Sequence, residues 1–294
     1  MLITPAGGGA ALGSDVVTRV ILRTDLTPIP STIEIEARRT AQVERALAEG
    51  QRIKVGSLKA EFVVVKSQQV AGNSPIQGDQ PTSGLKVIGM LASCEPIARR
   101  LQRSVIRENA PLGEIYRACG AQVRIGSDFN VPRFSCFVGM TPSFEVAKIL
   151  QEEAGALVYS DNSITYRRLG ELVAQPATLV VPEEATEVLN SDFLERHAVP
   201  FAFTTAPSGV IVSGRREASR GVHYQPRADQ RIVNNLGQVL LQRRKYRTAL
   251  TPGLAAGQRV DVGRHRMVII TAAHVFESIG GDQYTQAWLG ELSS

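Results

Sequence analysis

The strongest constraint on this chain is a ten-residue phrase written twice, near its two ends. Leu47-Ala48-Glu49-Gly50-Gln51-Arg52-Ile53-Lys54-Val55-Gly56 returns as Leu254-Ala255-Ala256-Gly257-Gln258-Arg259-Val260-Asp261-Val262-Gly263, with seven of ten positions identical and Ile53 exchanged for Val260. Gly50 and Gly257 permit a turn with positive φ. The four residues that follow alternate polar and apolar at period two, the signature of a half-buried strand. Gly56 and Gly263 mark the next turn, ahead of Phe62-Val63-Val64-Val65 in one copy and Met267-Val268-Ile269-Ile270 in the other. Each copy is also preceded by an alternating stretch, Thr32-Ile33-Glu34-Ile35-Glu36 and Gln238-Val239-Leu240-Leu241-Gln242. A chance hairpin phrase would match at its apolar and Gly positions only. Here Gln and Arg match as well, at positions that strand patterning does not dictate, which points to duplication of a β unit. Repeats of this kind decide architecture before any other feature does.

At 294 residues the chain suits two or three domains with a buried core. Its 43% hydrophobic and 21% charged residues are those of a soluble globular protein. No apolar run approaches the roughly 18 residues that a membrane span needs. Met1 to Ser14 is Gly- and Ala-rich without a basic n-region, so it reads as a flexible arm and not as a secretory signal. The net charge of +5 comes largely from clusters such as Arg99-Arg100, Arg215-Arg216 and Arg243-Arg244-Lys245. Such clusters can touch nucleic acid. With only 5% aromatic residues, solvated faces or interface anchors are the better reading. Cys94, Cys119 and Cys136 are widely spaced and form no CxxC pair, which suits buried, reduced thiols made in a cytoplasm.

Residues 15–92 read as the first β unit: strands over Val16–Leu22 and Ile33–Ala37, a helical connection over Thr40–Ala48, a loop over Gly72–Gly84 and a closing strand over Leu85–Leu91. Residues 93–175 change character to an α/β insert. Ile97, Leu101, Val105 and Ile106 are spaced for a helix over Glu95–Arg107. A second helix runs from Pro111 to Cys119, with Leu112, Ile115 and Tyr116 inward and Gly120 as its stop. Thr141 as N-cap and Pro142 at the first helical position begin a third. Its apolar face is Phe144, Ala147, Leu150 and Ala154, and Gly155 ends it. A hairpin follows, Ala156–Tyr159 and Ile164–Arg168, turning on Ser160-Asp161-Asn162-Ser163. Residues 176–294 hold the second β unit, with a hairpin of Phe201–Thr204 and Val210–Ser213 and a final strand over Gln283–Leu292.

Chemistry is hard to place on this sequence. His197, His223, His265 and His274 have no metal-site spacing, and HExxH, paired-Cys, GxxxxGK[ST] and GxSxG motifs are absent. Glu152 and Glu153 close a helix side by side, so they point to different faces and default to solvent. No nucleophile, base and orienter converge. The expectation is a structural protein with no catalytic residues, no cofactor and no metal, and not an enzyme.

Three stretches in order resemble the baseplate hub proteins of contractile phage tails, together with the late-control proteins and the N-terminal part of type VI secretion spike proteins. They are Gly139–Gly155, Ser163–Leu169 and Pro252–His274. With the first repeat copy they span most of residues 15–290. The resemblance implies an α+β fold in which two related tube-type β-barrel domains, 15–92 and 176–294, bracket the α/β insert 93–175, behind a flexible arm at 1–14. It implies a homotrimer whose six β domains make a pseudo-sixfold ring, docking a tail tube protein on one face and a separate spike protein on the other, among other baseplate proteins. Gly50, Gln51, Arg52, Gly257, Gln258 and Arg259 would then be the repeated assembly motif, in equivalent places around the ring. The place implied is the virion tail, assembled in the host cytoplasm, with no membrane and no specific nucleic acid as partner. The other classes open to this chain are a tail-associated cell-wall hydrolase and a basic nucleic-acid-binding module.

Overall fold

The computed structural model describes residues 2–56, 60–70, 83–189, 200–215, 221–226, 228–278 and 281–293. Residues 72–82 of the expected loop lie outside these, as do His197 and Arg216. The chain is mostly β, with few and short helices.

The first unit contains β1 (Ile3–Pro5), β2 (Val17–Asp25), β3 (Ser31–Arg38), α1 (Ala41–Ala46), β4 (Arg52–Val55), β5 (Glu61–Val70) and β6 (Gly84–Leu91). Strand β3 shows the expected alternation, with Ile33, Ile35 and Ala37 buried and the glutamates between them turned outward. The Thr40 hydroxyl caps α1 by accepting from the Val43 amide at 3.2 Å. The expected flexible arm is a correction: Ile3–Pro5 pairs antiparallel with Ile53–Val55, and Ile3 and Leu12 are buried. Two apolar side chains in an otherwise Gly-rich segment suffice to anchor it against the edge of β4.

The insert contains α2 (Glu95–Ala98), β7 (Val105–Pro111), α3 (Leu112–Ala118), β8 (Arg124–Ile125), β9 (Asn130–Cys136), α4 (Pro142–Glu152), β10 (Gly155–Ser160), β11 (Ser163–Arg168) and α5 (Leu169–Ala174). The helix expected over Glu95–Arg107 stops at Ala98, where Arg99 turns extended. The β-branched pair Val105-Ile106 instead starts a strand against Cys136 and Ser135. Helix α3 is as expected: Leu112, Ile115 and Tyr116 are fully buried and Gly120 follows at φ +93°. Helix α4 begins at Pro142, but its buried face is Val146, Ile149 and Leu150, and Phe144 points to solvent. Its stop also differs: Ala154, not Gly155, takes the left-handed conformation. Gly155 serves close approach, since a Cβ there would meet the Tyr166 ring at 2.3 Å. The β10–β11 hairpin turns on Asp161 and Asn162, both at positive φ, as their residue types favour. Insert and first unit share one continuous core, from Ile3 to Tyr166.

The second unit contains β12 (Leu179–Val181), β13 (Thr186–Val188), β14 (Phe201–Thr205), β15 (Ile211–Ser213), β16 (Val222–Tyr224), α6 (Gln230–Asn235), β17 (Leu240–Ala249), β18 (Arg259–Val262), β19 (His265–Glu277) and β20 (Tyr284–Leu292). Strands β14–β16 form a small separate sheet, with the expected β14–β15 hairpin. Val260, Val262, Met267, Ile269 and Leu289 make a second core.

Both units obey one strand order. In the first, β3 pairs β6, β6 pairs β5 and β5 pairs β4; in the second, β17 pairs β20, β20 pairs β19 and β19 pairs β18. An outer strand flanks each set, β2 on β3 and β13 on β17, antiparallel in both cases. The two sets join where β2 pairs antiparallel with residues 271–277 of β19, making a single twelve-stranded sheet.

Candidate assembly surfaces

The repeat turns are built the same way at backbone level. The Gly50 amide donates to the Val64 carbonyl at 2.8 Å and the Val64 amide donates to Gln51 at 2.9 Å. Gly257, Ile269 and Gln258 repeat those bonds at 2.8 and 2.9 Å. Gly50 and Gly257 lie at φ +86° and +92°, and Gly56 and Gly263 at +53° and +57°. One residue after Val64 the ladder shifts register, and it shifts again one residue after Ile269. A β-bulge at an equivalent point is a designed bend, and its recurrence at Val65 and Ile270 makes the duplication structural.

The side chains of the motif diverge. Gln51 and Arg52 are exposed. Gln258 instead accepts from the Ala255 amide at 3.1 Å and donates to the Gly253 carbonyl at 3.0 Å. Arg259 grips Asp261 with two bonds of 2.7 Å and donates to the Gln175 carbonyl at 2.9 Å, and this guanidinium holds the Asp261 carboxyl below its usual range. The first copy has Lys54 where the second has Asp261, so Arg52 has no carboxylate two residues along its strand; Lys54 pairs with Glu61 at 3.3 Å. The six motif residues thus share backbone places but not side-chain tasks.

Glu152 and Glu153, expected in solvent, face α6. Glu153 is buried and accepts from Arg231 at 2.6 Å, with Arg168 at 3.8 Å. Burial raises the Glu152 carboxyl, with Glu153 adding to the rise. The basic cluster on β17 is paired too: Arg244 with Glu183 and Lys245 with Glu187, each at 3.3 Å.

A cleft of 660 Å³ lies where the three parts meet, between Phe62, the hairpin tip at Tyr159–Asn162, the loop at Leu254 and Phe276. His274 lines it, with its ring Nδ1 2.9 Å from the Thr285 hydroxyl and burial lowering its pKa. Burial pushes the Cys94 and Cys119 thiols up to about 12. Among the described residues no group of three or more His, Cys, Asp and Glu could hold a metal, and no helix is long and apolar enough to cross a membrane.

Several large apolar side chains are exposed. Phe137, Val138 and Phe144 stand out around the start of α4, and Val210, Ile211, Val222 and Tyr224 on the small sheet.

No family model and no curated protein matches the chain. Solved structures do. The 43 kDa tail protein of prophage MuSo2 from Shewanella oneidensis superposes with a TM-score of 0.67 at 12% identity, over 99% of this chain and 98% of that one. The tail protein from Neisseria meningitidis MC58 gives 0.64 at 9%, over 99% and 95%. The c3393 protein of E. coli, a type VI secretion component with structural similarity to T4 bacteriophage tail proteins gp27 and gp5, gives 0.57 at 12%, over 99% and 77%. At such identities the likeness establishes the fold, and the fold is the one that phage tail proteins share with type VI secretion components, in line with the resemblance to baseplate hub proteins.

Proposed function

We propose that the chain is a structural hub or tube adapter in the baseplate of a contractile phage tail. Three copies, each contributing two tube-type β-barrel units at 15–92 and 176–294, form a pseudo-sixfold ring around which the 93–175 inserts are arrayed. One face of the ring receives the sixfold tail tube and the other a trimeric spike. The observation that carries this reading is the recurrence of one strand order, one turn pair and one bulge in both units. A chain with two equivalent β units presents the same shape twice, so three chains present it six times and close a cyclic ring. The fold likeness to tail proteins supports the same reading.

The role is scaffolding, not catalysis, within the virion tail assembled in the host cytoplasm, alongside other baseplate proteins. Of the repeated motif, Gln51 and Arg52 are exposed and able to reach a neighbouring ring, while Gln258 and Arg259 hold the chain to itself. Neither membrane nor specific nucleic acid enters this role; on β17, Arg244 and Lys245 are engaged by carboxylates of this chain. A density map of the assembled tail tests the proposal. It predicts three copies in one ring between tube and spike; six copies in a ring, or a position off the tail axis, would overturn it.

A further inference from the structure

The small sheet β14–β16 stands apart from the hydrophobic cores of the chain. Its strands pair with one another and, among the described residues, with no strand of the twelve-stranded sheet. Helix α6 packs against it, where Ala202 and Thr204 of β14 and Val233 of α6 are buried. The fit is close: a Cβ on Gly214 would come 2.5 Å from the Val233 carbonyl oxygen, and Gln230 donates to the Ser213 carbonyl at 3.0 Å. Sheet and helix are one body. Among the described residues, none from 201 to 235 belongs to the core of the first unit and insert, to the second core or to the cluster around Val268.

The bonds between this body and the insert are polar and converge on the last turn of α4. Arg231 donates to the buried Glu153 carboxylate at 2.6 Å. Asn235, 7% exposed, donates to the Glu152 backbone carbonyl at 2.9 Å, and Gln225 donates to the Glu152 carboxylate at 3.3 Å. A cavity of 310 Å³ is lined by Phe201, Arg215 and Val233 from this body and by Gly237, Leu292 and Ser293 beyond it, so no tight packing seals that side. The chain rejoins the main sheet directly after α6, where Val239 and Ser293 exchange bonds of 3.0 and 2.8 Å. Residues 236–238 are thus a short connector between two fixed points, with Gly237 at its centre. A seam of this kind opens differently from an apolar one. Its charged and polar groups regain water on separation. A desolvated ion pair adds little net stability, yet it is costly to leave half-made, so it selects one docked arrangement.

We propose that β14–β16 and α6 form a hinged module, latched to the insert by Arg231 on Glu153 and Asn235 on Glu152. Released from that latch, the module swings as one piece about residues 236–238 while the insert and the twelve-stranded sheet stay folded. Hinges of this sort absorb the change in a few residues at the end of an element.

Pulsed electron spin resonance between nitroxide labels measures the swing in the full-length protein. The native thiols are buried and stay unlabelled. One pair, Val210→Cys with Arg117→Cys, spans module and insert at exposed positions; a reference pair, Lys66→Cys with Arg117→Cys, spans the first unit and the insert, which share one core. The parent should give one narrow distance for each pair. Arg231→Gln should add a longer population to the module pair and leave the reference pair unchanged, and Asn235→Ala should do the same to a smaller extent. Should Arg231→Gln broaden both pairs, the milder Asn235→Ala decides by the same comparison. Module distances that stay single and unshifted in both variants would overturn the latch, as would a module distance already spread in the parent. A reference pair that broadens as much as the module pair in Asn235→Ala would show that the chain loosens as a whole, and would overturn the hinge.

Discussion

The side-chain amide of Gln175 donates to the backbone carbonyl of Gly257 at 2.6 Å, fastening the end of the insert to the repeat turn of the second unit. Arg259 returns the contact by donating to the Gln175 carbonyl. The same amide reaches the Leu172 carbonyl at 2.9 Å, so Gln175→Ala loses two part-buried bonds. The loss expected is about 1–3 kcal/mol. Gln51→Ala, at an exposed position of the other copy, should stay within about 0.5 kcal/mol of the parent. Urea unfolding compares them, and a loss at Gln175 no larger than at Gln51 would mean that this contact does not fasten the second turn.

Glycine at the turn is tested in the same pairwise way. At Gly257 the backbone is left-handed and a Cβ would sit 2.5 Å from the Val158 side chain of the insert hairpin. At Gly50 the backbone is equally left-handed and nothing lies within 4 Å. Gly50→Ala should cost about 1–2 kcal/mol, the strain of a left-handed L-residue. Gly257→Ala should cost more by a further 1–3 kcal/mol or so of overpacking. A thermal melt in which the two variants coincide would show that Val158 yields freely.

The face of α4 makes a third contrast. Phe144 is 68% exposed and Leu150 is 4% exposed. Phe144→Ser should leave the unfolding midpoint unchanged, whereas Leu150→Ala should cost about 2–5 kcal/mol. The reverse ranking would restore the face that runs through Phe144.

That helix shows where sequence and structure part. Pro142–Glu152 carries two overlapping apolar stripes, Phe144-Ala147-Leu150 and Val146-Ile149-Leu150, and only the packing partner chooses between them. Spacing misled again over Glu95–Arg107, where Val105 and Ile106 fit a helical face and yet pair with β9, a partner thirty residues away. The duplicated turns, by contrast, were legible because glycine at positive φ and strict alternation are local demands. The ends of the hairpin at Asp161-Asn162 were legible for the same reason. The divergence of Arg52 and Arg259 was written in a single exchange, Lys54 for Asp261, which decides whether the arginine finds a carboxylate.

Stability should fall on mild acidification through His274. Burial holds its folded pKa below the unfolded value of about 6.5. As pH drops beneath that value the unfolded chain takes up a proton that the folded ring declines, so stability present above it is progressively lost. Asp25 and Glu152 act with the opposite sign, burial having raised their carboxyls. Comparing the parent with His274→Gln isolates the histidine: the parent's urea midpoint should drop more between pH 7.5 and pH 5.5. Parallel pH profiles would show that the ring titrates normally in the fold.

The central claim is that one chain supplies two equivalent β units so that three chains close a ring. Native mass spectrometry of the purified full-length protein addresses it most directly. The account predicts a dominant species of three chains, and additional binding when tail tube protein is supplied. A stable single chain with no affinity for tube protein would contradict it.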